Sequence, residues 1–438
     1  MIQHNYSRKS VSNKARFRGK QSKWFLGMIM FVMIATMSFL LWNGEFLSNP
    51  AIKKQPAYPA NDFWLKNDDL LLFLETITQI KNHDLFLNPE IKRRELIQNA
   101  LRSFVEKLDP FAAYMTADEF TQWKKSQSDR YVGIGMEIVK DPQGQVICLP
   151  YSDSPAAKAG IQAGDRLISI EGESVSGRSI LAIGSMARGA HGTSAKLLIM
   201  ASTMEQKLVS VKRSHVSFDS VSKSQIENID VIKIPAFTSD TKKKLANALA
   251  DFDKTKPLII DLRGNAGGDL PAAIDSAMLF LAAHNKIVSI KTRQSIKKYE
   301  SSNSVINSSF PLFIWQDKGT ASAAEVFIAA LTNNHRAISI GKKSFGKGTK
   351  QEILEMSDGS ALFMTTGFLQ TPNGLFFDGK GLNPDYTVES NNPKTTEYLA
   401  KVKELLRETS GDFSASKPEK SGCIEQPWLC HLTDGSVF

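Results

Sequence analysis

A chain of 438 residues, 42% hydrophobic and 23% charged, holds two or three folded domains and is neither a disordered tail nor a small disulfide-stapled fold. Its net charge of +9 does not describe a nucleic-acid face, because seven of its basic residues lie in positions 1–23 with no acid among them, leaving +2 elsewhere. Three cysteines and seven scattered histidines give no zinc motif, so neither a metal nor another cofactor is expected.

In chain order, residues 1–23 read as a basic cytoplasmic arm. Trp24 to Trp42 follows without a charge. At 1.5 Å per residue it spans about 28 Å, enough for a hydrocarbon core, with tryptophans at both interfaces. Asn-Gly-Glu-Phe-Leu follows rather than a small-x-small cleavage site, so an uncleaved signal anchor is expected over 24–42. That places the arm in the cytoplasm of a bacterium and the rest outside, single-pass, on the periplasmic side of the inner membrane.

Residues 43–61 read as a polar stalk, and 62–128 as a small helical region with apolar stripes such as Leu70, Phe73, Leu74 and Ile77. A second helix is expected from Asn88-Pro89 to Asp109-Pro110, and a third over 116–124. Residues 131–213 change to short strands and glycine turns: Tyr131-Val-Gly-Ile-Gly-Met-Glu-Ile-Val139, then Ser154 to Gly172 as helix, turn and strand. This segment resembles a PDZ domain of the kind attached to bacterial proteases. The likeness rests on Gly133-Ile134-Gly135-Met136, on Ala159-Gly-Ile161 with Gly164-Asp165, and on Arg188-Gly with Gly192-Thr193. In such a domain the glycine loop holds a peptide's terminal carboxylate and the next strand pairs with the peptide.

From 220 to 390 strands alternate with helices, implying a layered αβ core. Strands are expected over 231–237, 257–263, 311–316, 337–341 and 351–354, with helices over 241–252, 270–283 and 326–331. A helix near 395–407 precedes a polar tail within 391–438, where Cys423 and Cys430 either close a disulfide or stay free thiols.

Two stretches of the core carry chemistry. Gly319-Thr-Ala-Ser322-Ala-Ala-Glu325 puts a hydroxyl at the start of an apolar helix, where backbone N–H groups favour negative charge. Ser344-Phe-Gly-Lys347-Gly-Thr-Lys-Gln351 puts an amine between two glycines. A lysine buried as the neutral amine serves as a general base for a serine nucleophile. Gln351 is placed to orient that amine without adding charge. On a straight strand it would lie about 13 Å from Lys347, so the glycines must turn the chain back. Asp261-Leu-Arg-Gly264-Asn-Ala-Gly-Gly268 is a glycine turn at a strand end, whose N–H groups could join that of Ala323 in an oxyanion hole. Three decoys fall away. Gly341 to Lys347 looks like a phosphate loop, but Gly348 replaces the magnesium-binding hydroxyl, so no nucleotide is expected. Gly264 to Gly268 echoes the trypsin-type serine motif with Ala266 in the serine's place. The histidines form no triad.

Taken together, Leu108 to Tyr114, the PDZ motifs, Asp261 to Gly268, Thr320 to Glu325, Phe345 to Gln351 and Gly381-Leu-Asn-Pro-Asp385 resemble the C-terminal processing peptidases, the tail-specific Ser-Lys proteases, over roughly residues 66–389. The resemblance implies Ser322 as nucleophile, Lys347 as base, Gln351 as its support, and Gly268 and Ala323 as oxyanion donors. It departs at Thr320 and Ala324, at Gly264 and Ala266, and at Lys350, none of which removes a reacting group. The expectation is a membrane-anchored serine endopeptidase acting on unfolded, apolar protein C-terminal ends, without cofactor, and open to a homo-oligomer or an adaptor as partner. The alternative is an inert core serving as a membrane-tethered PDZ scaffold or chaperone. The inserted domain is also placed to cover the cleft, with Arg188 as the residue to reach the core.

Overall fold

The computed structural model describes residues 67–411 apart from 85–92, 109–110, 127–131, 142, 202, 217–220, 303–309 and 391–392. The chain divides into two compact units, 1–90 and 91–438. Of the first, the described part is one helix, Asn67–His83, acidic in its first turn and basic in its last. That arrangement complements the helix dipole.

The heart of the second unit is a six-stranded sheet. Its order is Ser222–Ile226, Ile229–Lys233, Leu258–Asp261, Leu312–Gln316, Ile338–Gly341, Tyr386–Thr387. The first pair is antiparallel and every later pair parallel. A parallel sheet must be covered on both faces, and the alternation of side chains shows that it is. Ile232, Ile260 and Ile314 point to one side, into a cluster with Leu245, Ile274 and Phe327 from the helices Thr241–Ala250, Leu270–Ala277 and Ala323–Asn333. Val231, Ile259, Phe313 and Trp315 point to the other, against Tyr398, Leu399 and Val402 of the helix Thr395–Gly411. The layered αβ core is thus present.

A second sheet flanks it: Ala113–Met115, Ala361–Gln370, Lys286–Thr292 and Ile296–Glu300 in order, with Thr349–Glu355 also paired to Ala361–Gln370. Sequence reasoning assigned most of this sheet to no element. The expected helix over 270–283 stops at Ala277; Leu279, Phe280 and Leu281 stay buried in the turns that follow.

Between the two sheets in sequence lies an antiparallel sheet of the order Met136–Lys140, Val146–Pro150, Arg166–Ile170, Ser194–Met200, Gln206–Lys212, with the helices Pro155–Lys158 and Ile180–Ala187. Its own core holds Met136, Ile138, Cys148, Ile170, Ile183 and Leu197. Cys148 is a buried free thiol whose pKa burial pushes well above the ordinary range. Strand Met136–Lys140 lies at the sheet's edge.

The anchored part of the expectation is corrected. Among the described residues no helix is long and apolar enough to cross a membrane. The described helices are amphipathic, with ionised residues within a turn or two of each other, as in Asn67–His83. The segment 24–42 that carried the idea lies outside the described residues, as do the arm, the stalk and the tail cysteines. The fold is therefore stated as an αβ core with an inserted β-rich domain and no N-terminal transmembrane helix. Membrane anchoring as part of the function, the membrane as a partner, and a single-pass inner-membrane location are set aside with it.

Candidate active site

Three loops leave the C-terminal ends of three adjacent parallel strands, the usual place for a site in such a sheet. Leu258–Asp261 leads to Gly264–Gly268, Leu312–Gln316 to Gly319–Ser322, and Ile338–Gly341 to Ser344–Gly348. Ser322, Lys347 and Gly268 therefore converge because of strand order, although 54 positions separate Gly268 from Ser322.

Ser322 is the N-cap of helix Ala323–Asn333 and sits at φ 56°, ψ −120°. A non-glycine residue held there costs about 1–3 kcal/mol and persists only where its surroundings fix it. Those surroundings are explicit. The Ser322 N–H donates to Glu325 Oε2 at 2.8 Å, and the Ala321 N–H donates to the Asn265 carbonyl at 2.9 Å. Asn265 is itself fully buried, its amide donating to the Ile234 carbonyl and accepting from the Gly267 N–H, both at 2.8 Å. Thr320 Oγ1 donates to the Leu262 carbonyl at 2.9 Å. The glycine turn is thereby stapled to the nucleophile loop.

That turn needs glycine for contact as well as dihedrals. Gly267 lies at φ 108° and Gly268 at φ 119°. A Cβ at 267 would stand 2.7 Å from Ser322 Cβ, and one at 268 would stand 2.2 Å from the Phe237 carbonyl oxygen. The N–H groups of Gly268 and Ala323 donate to no protein acceptor among the described residues. Both donors remain available beside the serine. Gly268→Ala should displace one of them, lowering kcat by about 10²–10³ with a smaller change in KM, as steady-state kinetics on a peptide substrate would show.

Glu325 organises the pair. It is fully buried, and its carboxylate accepts from Ser322 N–H at 2.8 Å, Lys347 N–H at 2.9 Å, Gly346 N–H at 2.7 Å and Ser344 Oγ at 2.5 Å. Ser322 and Lys347 share one oxygen, Oε2, so their backbones are immediate neighbours. Burial pushes the Glu325 pKa up to about 7, with the four hydrogen bonds opposing that rise. The lysine loop is backed from outside too. Leu382 N–H donates to Ser344 Oγ at 2.7 Å, and Gly348 N–H donates to Asp378 Oδ1 at 2.8 Å. This explains the Gly381-Leu-Asn-Pro-Asp385 motif, whose last residue accepts from Ser339 N–H and Oγ at 2.7 and 2.8 Å.

The side chains of the three candidates stand as follows. Lys347 Nζ makes a 2.9 Å ion pair with Glu137 Oε1, a residue of the inserted domain. No hydrogen bond joins it to Ser322 Oγ in this arrangement. Gln351 lies in strand Thr349–Glu355, and its amide donates to Thr349 Oγ1 at 2.8 Å rather than to Lys347. In the inserted domain, Gly133, Ile134, Gly135 and Met136 are all buried. The Ile134 carbonyl accepts from Ala156 N–H at 2.9 Å, and Gly135 packs under Ser154. Arg188 is the C-cap of helix Ile180–Ala187. Sequence reasoning missed Glu325, Asn265 and Glu137. Only Glu325 left a signal, the Ser-x-x-Glu spacing of a capping box.

Residues 228–388 match the sequence profile of peptidase family S41, and 146–199 match a PDZ domain. The chain is 34% identical over 322 residues to a probable CtpA-like serine protease of Staphylococcus epidermidis, covering 72% of this chain and 65% of that relative. It is 30% identical over 335 residues to one of Staphylococcus aureus, covering 75% of this chain and 67% of the relative. The chain belongs to peptidase family S41. As a CtpA-like serine protease with a PDZ domain, it matches the family of C-terminal processing peptidases expected from its motifs. It spans 65% of the length of the S. epidermidis relative. Its fold is also that of the photosystem II D1 C-terminal processing protease, with a TM-score of 0.65 at 24% identity over 77% of this chain and 97% of that one.

Proposed function

We propose that this S41 peptidase is a serine endopeptidase that cleaves unfolded proteins presented by an apolar C-terminal end. Ser322 attacks the peptide carbonyl. Lys347, as the neutral amine, takes the hydroxyl proton and returns it to the leaving amine. Gln351 supports the amine, and Gly268 with Ala323 holds the oxyanion. Gly133, Ile134, Gly135 and Met136 capture the tail's carboxylate through backbone N–H groups, and the strand beyond them pairs with the tail. The chemistry uses only side chains and backbone. The observation that carries this reading is the single Glu325 oxygen that binds the backbones of Ser322 and Lys347 together. The deciding experiment is labelling with a serine-reactive phosphonate: wild type should be labelled once, at Ser322, and Ser322→Ala not at all.

The second reading, an inert tail-binding scaffold, draws on one observation, that the lysine amine sits on Glu137 rather than on the serine. Absence of labelling in wild type, with and without a tail peptide, would favour it.

A further inference from the structure

Strand Met136–Lys140 faces two ways. Met136 and Ile138 enter the core of the inserted domain. By the two-residue period Glu137 and Val139 point to the opposite side. There Val139, with Ile147 and Leu149 of the neighbouring strand, packs on Ala266 and Ala321, and Tyr151, Ala163 and Phe345 close around them. Ala266 belongs to the oxyanion turn, Ala321 precedes the nucleophile, and Phe345 opens the lysine loop. The inserted domain therefore presses an apolar patch onto all three loops of the site. Two ion pairs fasten the contact. Lys233 Nζ meets Asp153 Oδ2 and Ser152 Oγ, each at 2.7 Å. Glu137 Oε1 meets Lys347 Nζ at 2.9 Å, while Tyr151 OH donates to the other Glu137 oxygen at 3.1 Å and fixes the carboxylate in place.

We propose that Glu137 is a lock on Lys347, released by a peptide that carries a free C-terminal carboxylate. The inference rests on the reading of Lys347 as the base. Paired with a carboxylate, the lysine is engaged as an ammonium donor. In that form it has no lone pair with which to accept the Ser322 proton, so the site is assembled but off. The same strand carries the release. It stands at the sheet's edge, its outer side unpaired by any described strand, with Ile183 and Ala187 of helix Ile180–Ala187 packed in the same cluster. A peptide added along that edge, its carboxylate at the Gly133–Met136 loop, engages the backbone whose alternate side chains are Glu137 and Val139. Shifting that backbone withdraws Glu137. The freed ammonium then gives its proton to solvent, and the amine becomes the acceptor for Ser322.

The test uses the full chain, an unfolded reporter substrate with an amidated C-terminus, and a separate apolar peptide with a free carboxylate as activator. Glu137→Gln should raise turnover without activator about 5-fold or more, a usual size for coupling between two sites, and shrink the stimulation by activator in the same proportion. The gain should fall on kcat rather than KM, and phosphonate labelling of Ser322 should speed up in parallel. Asp153→Asn loosens the same interface without touching Lys347, and should give a smaller rise that is additive with activator. Should Glu137→Gln prove poorly folded by thermal melt, Glu137→Asp takes its place, since the shorter side chain draws the carboxylate away while keeping its charge. Unchanged basal turnover in a folded Glu137 variant, or a loss of turnover, overturns the lock. A rise with Asp153→Asn alone also overturns it, because the domain would then shield the site without acting on the lysine. Undiminished turnover in Lys347→Ala would instead mean that the catalytic reading itself is wrong.

Discussion

Ser322→Ala and Lys347→Ala should each lower cleavage of an unfolded substrate by at least about 10³-fold, to near the background of the purified protein. The two losses should not add, because a nucleophile without its base and a base without its nucleophile fail alike. The Ser322→Ala double mutant with Lys347→Ala should be no slower than either single variant. Stability should hardly change. The Ser322 backbone is fixed by its N–H bond to Glu325 and by the neighbouring Asn265 staple, neither of which uses the hydroxyl. Clear turnover in either folded single variant rejects the proposed chemistry.

Glu325→Ala should do structural damage as well. Four donors converge on that carboxylate inside the protein, and removing it leaves them unpaired. Breaking a buried charged network in this way costs about 3–5 kcal/mol. The melting temperature should fall by several degrees, and activity should vanish, because the serine and lysine loops lose their shared anchor. Glu325 also predicts a pH effect. Its pKa is about 7 in the folded protein, above the ordinary carboxylate value of 4.5. Protonation therefore favours the folded state. The contribution is fully present below pH 4.5 and is lost as pH rises through 7. Denaturant unfolding from pH 5 to pH 8 should show wild type losing a component of stability that Glu325→Ala lacks. Activity should run the other way, rising through pH 7 as the ionised carboxylate recovers all of its acceptor capacity. A variant-independent pH slope would discard this assignment.

Much of the site was legible because small residues mark it. Ser322, Lys347 and the Gly267-Gly268 pair each stand in a loop rich in glycine or alanine just past an apolar strand, and parallel strand order brings such loops together. The PDZ motifs and the layered core were legible for the same reason: glycine turns and apolar runs are local signals. What escaped has no local mark. Ala113–Met115 is three residues long, and it becomes a strand only because Ala361–Met364 lies beside it. Ala361–Gln370 mixes threonines and a glycine into its run, so its length comes from partners on both sides. Glu137 and Lys347 are 210 positions apart, and one glutamate among several in a strand-like run gives no hint of its partner. Arg188 was chosen to reach the core by its place after a helix, whereas edge-strand alternation is what points Glu137 and Val139 there. The transmembrane expectation rested on hydropathy alone, in a segment outside the described residues.

The inserted domain leaves and rejoins the core through chain segments that pair with each other. Val132–Gly133 and Ser214–His215 form a two-stranded ribbon at its base. Entry and exit are thus zipped into one short stem, which confines any swing to rotation about that stem. Exchange between shut and open forms is then a first-order event within one molecule, and its equilibrium should be indifferent to dilution.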